Sequence, residues 1–238
     1  MKSTLFRIIM ALHLVVLAAC GAPTAPSSSS QNESTQAEVI TNVDLSGIKN
    51  FLLEQSTTLT QATAKLKDLS EQYYDTAKQD GFNYAKLWSE QPSLLQQQIE
   101  TARSAWIEAS PLYEKMEGIV AGTPALAEFD IILDAGASAA DDPENAVPFD
   151  LTLPDGRVFP KPGNLFGVTE SALWGTFADY TVKDVVADFN GNGRVDFGEA
   201  LPDANLLKAA AETLDQYANQ LHTSDESWTP TTADAYTA

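Results

Sequence analysis

LSGIKNFLLEQSTTLTQATAKLKDLSEQYYDTA, residues 45–77, decides the fold class. Ile48, Leu52, Leu59, Ala62, Leu66, Leu69 and Tyr73 follow an alternating four-three spacing that only Gln55 breaks, which is one apolar face of a long helix. Asp44 or Ser46 supplies the cap and Gly81 the stop. Downstream, Phe82, Tyr84, Leu87 and Trp88 lead to Pro92, where a second helix starts. Leu95, Ile99, Ala102, Trp106 and Ala109 repeat the spacing until Pro111 interrupts or kinks it. A helical pattern continues through Tyr113, Leu126, Phe129, Ile131, Ile132 and Leu133, and a last helix is expected over residues 203–222, carried by Leu207, Ala211, Leu214, Ala218 and Leu221. Such faces must cover one another, so the expectation is an all-α, up-and-down helical bundle. Asp141, Asp142 and Glu144 open a Pro-rich excursion. Inside it, alternating apolar and polar residues on both sides of Pro154-Asp155-Gly156 predict a β-hairpin that Pro160 and Pro162 end.

Residues 188–199, Asp-Phe-Asn-Gly-Asn-Gly-Arg-Val-Asp-Phe-Gly-Glu, carry oxygen donors at the spacing of a twelve-residue calcium loop. Asp188, Asn190 and Asn192 stand at positions one, three and five, the Arg194 carbonyl at seven, Asp196 at nine and Glu199 at twelve. Gly193 occupies the sharp turn at six, and Val195 at eight is expected to pack beneath the loop. The stretch resembles EF-hand and dockerin-type loops throughout. Gly198 and Pro202 leave little room for a regular exiting helix, and no second loop is present to pair with it. The resemblance implies weak binding, with a dissociation constant of about 10⁻⁴ to 10⁻³ M, as in extracellular modules. A helix ending near Ala187, with Phe177, Tyr180, Val182, Val185 and Val186 on its face, is expected to enter the loop.

Residues 1–19 read as a signal peptide: Lys2 and Arg7 precede an apolar run that is too short for a permanent span. Leu17-Ala18-Ala19-Cys20 resembles the bacterial lipobox, which implies lipidation at Cys20, the only cysteine of the chain, and a cell-envelope location on the periplasmic or cell-surface side, with the outer membrane suggested by Gly21. Residues 20–40 are Ser/Pro-rich and read as a tether, residues 41–222 as one bundle domain, and residues 223–238 as a flexible tail. The net charge of −19 makes nucleic acid an unsuitable partner and favours cations.

Phe166, Glu170, Leu173, Trp174 and Gly175 match the Gly-Phe-His-x-x-Glu and Leu-Trp-Gly motifs of the imelysin-like family, which includes periplasmic iron-uptake lipoproteins and proteins once classified as metallopeptidases. Upstream, Ala102-Arg103-Ser104-Ala105-Trp106 and the Tyr113 to Glu117 segment are similar to the family's preceding helix. The resemblance covers residues 43–176 and 203–221, leaving the calcium loop as an insertion, and implies iron or another transition metal as ligand, with envelope metal-uptake proteins as partners. Gly167 stands where the family has its histidine, so a metal site at Glu170 and Glu117 would have to be rebuilt from other groups.

Catalysis is disfavoured. The chain lacks a Gly-x-Ser-x-Gly or His-Glu-x-x-His motif, and His222, at a helix end, is the only histidine beyond the signal peptide. The expected function is a non-enzymatic, lipid-anchored, calcium-binding envelope protein of metal-uptake type. The alternatives are a calcium-ordered surface interaction or adhesion module and an imelysin-type metallopeptidase.

Overall fold

The computed structural model describes residues 44–231. The expected signal peptide, Cys20 and the whole of the expected tether lie outside the described residues, as do the last seven positions of the expected tail. The protein is mostly helical. Its helices are α1 (Ser46–Gln79), α2 (Tyr84–Glu90), α3 (Pro92–Glu114), α4 (Glu117–Gly122), α5 (Ala127–Asp130), α6 (Leu165–Trp174) and α7 (Ala204–Ser227). The one sheet among the described residues is a hairpin of β1 (Asp150–Thr152) and β2 (Val158–Pro160), antiparallel with Leu151 opposite Phe159.

Helix α1 is the spine, lying between α7 and α3, while α6 closes the bundle against α7 and α3. Asp44 Oδ1 accepts the Ser46 N–H at 3.0 Å at its start, and Gly81 at φ 62° follows its end. The buried line of α1 keeps Leu52, Leu59, Leu66 and Tyr73 of the expected face but leaves Ile48, Ala62 and Leu69 half-buried. It runs Leu52, Ser56, Leu59, Thr63, Leu66, Ser70, Tyr73, Ala77, a strict four-three alternation in which every other residue before Ala77 is a small hydroxyl. The small hydroxyls face an alanine-rich side of α7, where Ala204, Ala210, Ala211 and Ala218 are fully buried, so the two backbones can approach closely. Each hydroxyl is satisfied: Ser70 donates to the Leu66 carbonyl at 2.9 Å, Thr63 to Asp215 Oδ1 at 3.0 Å, and Ser56 Oγ lies 3.0 Å from His222 Nδ1.

Four expectations are corrected. Pro111 does not end α3, which runs on to Glu114; a proline four residues from a helix end removes one backbone bond, and the carbonyl it would have met belongs to the exposed Ile107. Helix α7 continues to Ser227, so residues 223–227 belong to the bundle, with Asp225 buried in it. No α-helix enters the loop of residues 188–199: residues 176–187 hold only a 3-10 turn, Ala178–Tyr180. There the Val182 N–H donates to the Leu201 carbonyl and the Asp203 N–H to the Tyr180 carbonyl, both at 2.9 Å, so this backbone is committed to closing the base of a long loop. Finally, Val195 is 54% exposed instead of packed beneath the loop.

The predicted hairpin forms where expected. Leu151 and Leu153 are buried and Phe149 meets the Tyr217 ring at 6.1 Å, which fixes the excursion to α7. No helix among the described residues is long and apolar enough to cross a membrane.

Candidate metal centre

Asp188 is the organising residue of the loop. Its Oδ1 accepts the N–H groups of Gly191 at 2.7 Å and Asn192 at 3.1 Å, and its Oδ2 accepts that of Gly193 at 2.7 Å, so one carboxylate gathers three successive amides. Asn190 Oδ1 accepts from the Asn192 N–H at 3.0 Å and Asn192 Oδ1 from the Arg194 N–H at 2.8 Å, which are successive side-chain-closed turns. Gly193 has φ 80°, a left-handed conformation that explains glycine at position six. At the loop's end Glu199 is 6% exposed. It accepts the Phe189 and Asn190 N–H groups on Oε1, at 3.1 and 3.0 Å, and the Asp196 N–H on Oε2 at 2.8 Å. The first and twelfth residues therefore hold the loop in one curl.

The donor set is all oxygen, which suits a hard cation such as calcium. Asp188, Asp196 and Glu199 do not yet offer three oxygens within 4.8 Å of one another. Each carboxylate is turned to a different donor: Asp188 and Glu199 to backbone amides, and Asp196 Oδ2 to the Asn192 side-chain amide at 2.6 Å. The residues fit the ion in kind and order, and a bound cation would compete with these internal bonds.

Arg103 of α3 fastens this loop to the bundle, a role its sequence position did not signal. Its guanidinium donates from Nε to the Leu173 carbonyl at 2.9 Å, and from one terminal nitrogen to the same carbonyl at 2.6 Å and to the Gly198 carbonyl. It also lies 5.5 Å from the Trp174 ring centroid and 5.6 Å from that of Phe189. Burial lowers its pKa. Phe189 in turn meets Trp88 at 5.4 Å, so loop position two is set between α2 and α3.

A second oxygen-rich group lies elsewhere. Glu114, Glu117 and Asp134 bring one carboxylate oxygen each within 4.8 Å of one another. Glu114 ends α3, Glu117 starts α4, and Asp134 sits in a π-helical turn, Ile131–Ala135, closed by the Gly136 N–H on the Ile131 carbonyl at 2.9 Å. Such turns re-aim side chains by inserting one residue per turn. Burial, then Glu114, Glu117, Asp130 and Glu170, push the Asp134 carboxyl up to about 6. Burial, with Glu114 and Asp130, also raises Glu117. Asp130 itself is held by the Tyr113 hydroxyl at 2.8 Å.

Of the expected pair, Glu117 joins Glu114 and Asp134, while Glu170 is exposed on α6 and acts on Asp134 through its charge. Gly167 lines a cavity of about 260 Å³ with Ser138, Asp141, Phe177 and Tyr180. Its N–H is held by the Asn164 cap at 2.7 Å, and a Cβ there would come within 2.9 Å of the same Asn164 oxygen. A histidine at 167 would have to displace that cap.

One expected outcome concerns pH. Because Asp134 is raised in the fold, its folded form holds a proton that the unfolded form has released. Stability from this group is therefore greatest below its ordinary value of 3.8 and falls as pH rises through about 6. Asp134→Asn should flatten that part of a melting-temperature profile, and an unchanged slope would contradict the assignment.

No protein-family model matches the chain, and neither a curated protein nor a solved structure matches it.

Proposed function

We propose that this chain is a non-catalytic, calcium-binding protein of the cell envelope, lipid-anchored through Cys20, whose helical bundle serves metal handling of the uptake type. The observation that carries the calcium part is the convergence of three loop amides on Asp188 and three on Glu199, at the first and last positions of an all-oxygen donor series. The ion would be held by Asp188, Asn190, Asn192, the Arg194 carbonyl, Asp196 and Glu199. It would offset two of the three carboxylate charges and stiffen a loop that Arg103 couples to α6. The metal-handling part draws support from the Glu114, Glu117 and Asp134 group, whose oxygen-only chemistry suits a hard cation better than a thiolate-seeking one. The imelysin-type peptidase reading is the weaker one, because Gly167 stands at its histidine position and offers no ligand.

A second reading, the calcium-ordered interaction module, is favoured by the exposure of Phe197, 80%, and Val195, 54%, on the outer side of the loop. In that case calcium orders the surface that a protein partner reads.

The test is thermal melting in calcium and in chelator, for the unchanged chain and for Glu199→Gln. At calcium ten times its dissociation constant, linkage adds about 1.4 kcal/mol, which raises Tm by about 3–6 °C in a domain of this size. Glu199→Gln should abolish the rise while Asp134→Asn leaves it intact. A rise that survives Glu199→Gln and disappears in Asp134→Asn would move the calcium site to the acidic group.

A further inference from the structure

Asp225 is fully buried, at 0% exposure, and neither of its carboxylate oxygens has a hydrogen-bond partner. It lies in the last turn of α7, where that helix meets the N-terminal part of α1. Buried carboxylates are ordinarily paired, because an ionised one without partners loses its hydration for nothing in return. The surroundings make the exception specific. On α1, Ser56 Oγ is turned to His222 Nδ1 at 3.0 Å and to the Leu53 carbonyl at 3.5 Å, not to the carboxyl beside it. Lys49 Nζ donates to the carbonyls of Glu226 at 2.9 Å and Trp228 at 2.7 Å, so the one cation on that side is spent on the C-terminal carbonyls of α7. His222 Nε2 faces Glu226 Oε1 at 3.7 Å.

We propose that Asp225 and Lys49 form a proton-operated clasp beside Ser56 and His222: while the carboxyl is protonated, the Lys49 bonds to the Glu226 and Trp228 carbonyls fasten the start of α1 to the end of α7, and ionisation of the carboxyl releases them. The neutral carboxyl is tolerated in a dry helix interface. The ionised one needs either water or a cation, and Lys49 is a cation whose charge acts on it. If Lys49 turns inward, the Glu226 and Trp228 carbonyls lose their donor. If water enters, the α1–α7 contact opens. Both responses loosen the same turn, the one capped by the Trp228 N–H on the Ser224 carbonyl at 2.8 Å.

The charged groups acting on Asp225 are His222 on its own helix and Lys49 on α1. Both favour ionisation, as does the neighbouring Ser56 hydroxyl, and burial outweighs them, pushing the carboxyl up to about 6. The sign follows from linkage. Below the ordinary value of 3.8 the clasp is fully closed. As pH rises the open form ionises first, so the closed form loses ground until about pH 6 and then levels off. The gap between the two values corresponds to a loss of up to about 100-fold in the closed-to-open ratio.

The experiment is amide hydrogen exchange of the full chain at pH 4 and pH 8, corrected for intrinsic exchange, read at Trp228 and at the last turn of α7. The unchanged chain should lose protection at pH 8 by up to about 100-fold, with Trp228 fluorescence shifting in step. Asp225→Asn removes the charge while keeping the shape, and should stay protected at both pH values. His222→Gln should keep the pH dependence, because the imidazole is a neighbour of the clasp and not its switch. Equal protection of the unchanged chain at the two pH values would overturn the proposal. So would an undiminished pH dependence in Asp225→Asn, or its loss in His222→Gln. Should Asp225→Asn not fold, the His222→Gln chain and the unchanged chain still decide the matter.

Discussion

Arg103→Ala is expected to destabilise the protein by about 2–4 kcal/mol and to free the loop of residues 188–199 from the bundle. The side chain supplies donors to two backbone carbonyls, those of Leu173 and Gly198, and stands against the rings of Trp174 and Phe189. Hydrogen bonds from a charged group contribute about 1.5–3 kcal/mol, and each partly desolvated ring contact adds about 0.5–1. Truncation also leaves the Leu173 carbonyl without its acceptor role near the end of α6. Arg103→Lys keeps the charge but cannot reach two carbonyls with one planar fork, so it should recover less than half of the loss. Denaturant unfolding measures the first effect, and faster hydrogen exchange confined to residues 188–199 reports the second. A loss within about 0.5 kcal/mol, the range of ordinary surface substitutions, would contradict the role given to Arg103.

Gly175→Val should cost more, about 3–5 kcal/mol. Gly175 caps α6 in the left-handed conformation, φ 67°, where a side chain costs about 1–2 kcal/mol and a β-branched one is a steric outlier. Its Cβ would also stand 2.6 Å from the Ala200 Cβ, immediately after the calcium loop, and forcing such a contact open costs about 1–3 kcal/mol. Gly175→Ala should show an intermediate loss, and a double variant with Ala200→Gly should recover the packing share but not the backbone share. Urea denaturation of the three variants separates the two causes. A Gly175→Val protein as stable as the unchanged chain would mean that the turn is free to shift.

The helices were legible because their information is local. Leu52, Leu59, Leu66 and Tyr73 lie a few residues apart on one face, and their period is enough to predict α1 before anything else is known. What period and hydropathy concealed was the other half of the same seam. Ser56, Thr63 and Ser70 count as polar, and their burial makes sense only beside partners 166 residues away at His222 and 152 residues away at Asp215. The valines of residues 182–186 misled for the opposite reason. They carry a helical spacing, but Val186 is 73% exposed, and the backbone at Val182 pairs with Leu201.

The geometry of residues 188–199 was legible in the same local sense. Side-chain oxygens recur at alternate positions from 188 to 192 and again at 196 and 199, the glycines adopt positive φ, and Asp188 gathers amides only three to five residues ahead. The acidic group was half visible. Glu117 could be picked from its segment, but Asp134 depends on a π-turn that a regular helical reading does not foresee, and Glu114 depends on α3 continuing past Pro111. Arg103 gave no signal at all, since its partners are carbonyls 70 and 95 residues downstream. Asp225 was assigned to the tail because the apolar spacing ends at Leu221, although α7 does not.

Calorimetric titration of the full chain with calcium chloride, in buffer freed of divalent ions, addresses the central claim without intermediaries. One site should appear with a dissociation constant of about 10⁻⁴ to 10⁻³ M, and it should vanish in Glu199→Gln. Absence of heat at several millimolar calcium, with a melting temperature indifferent to chelator, would mean that residues 188–199 are a hydrogen-bonded surface loop and not an ion site.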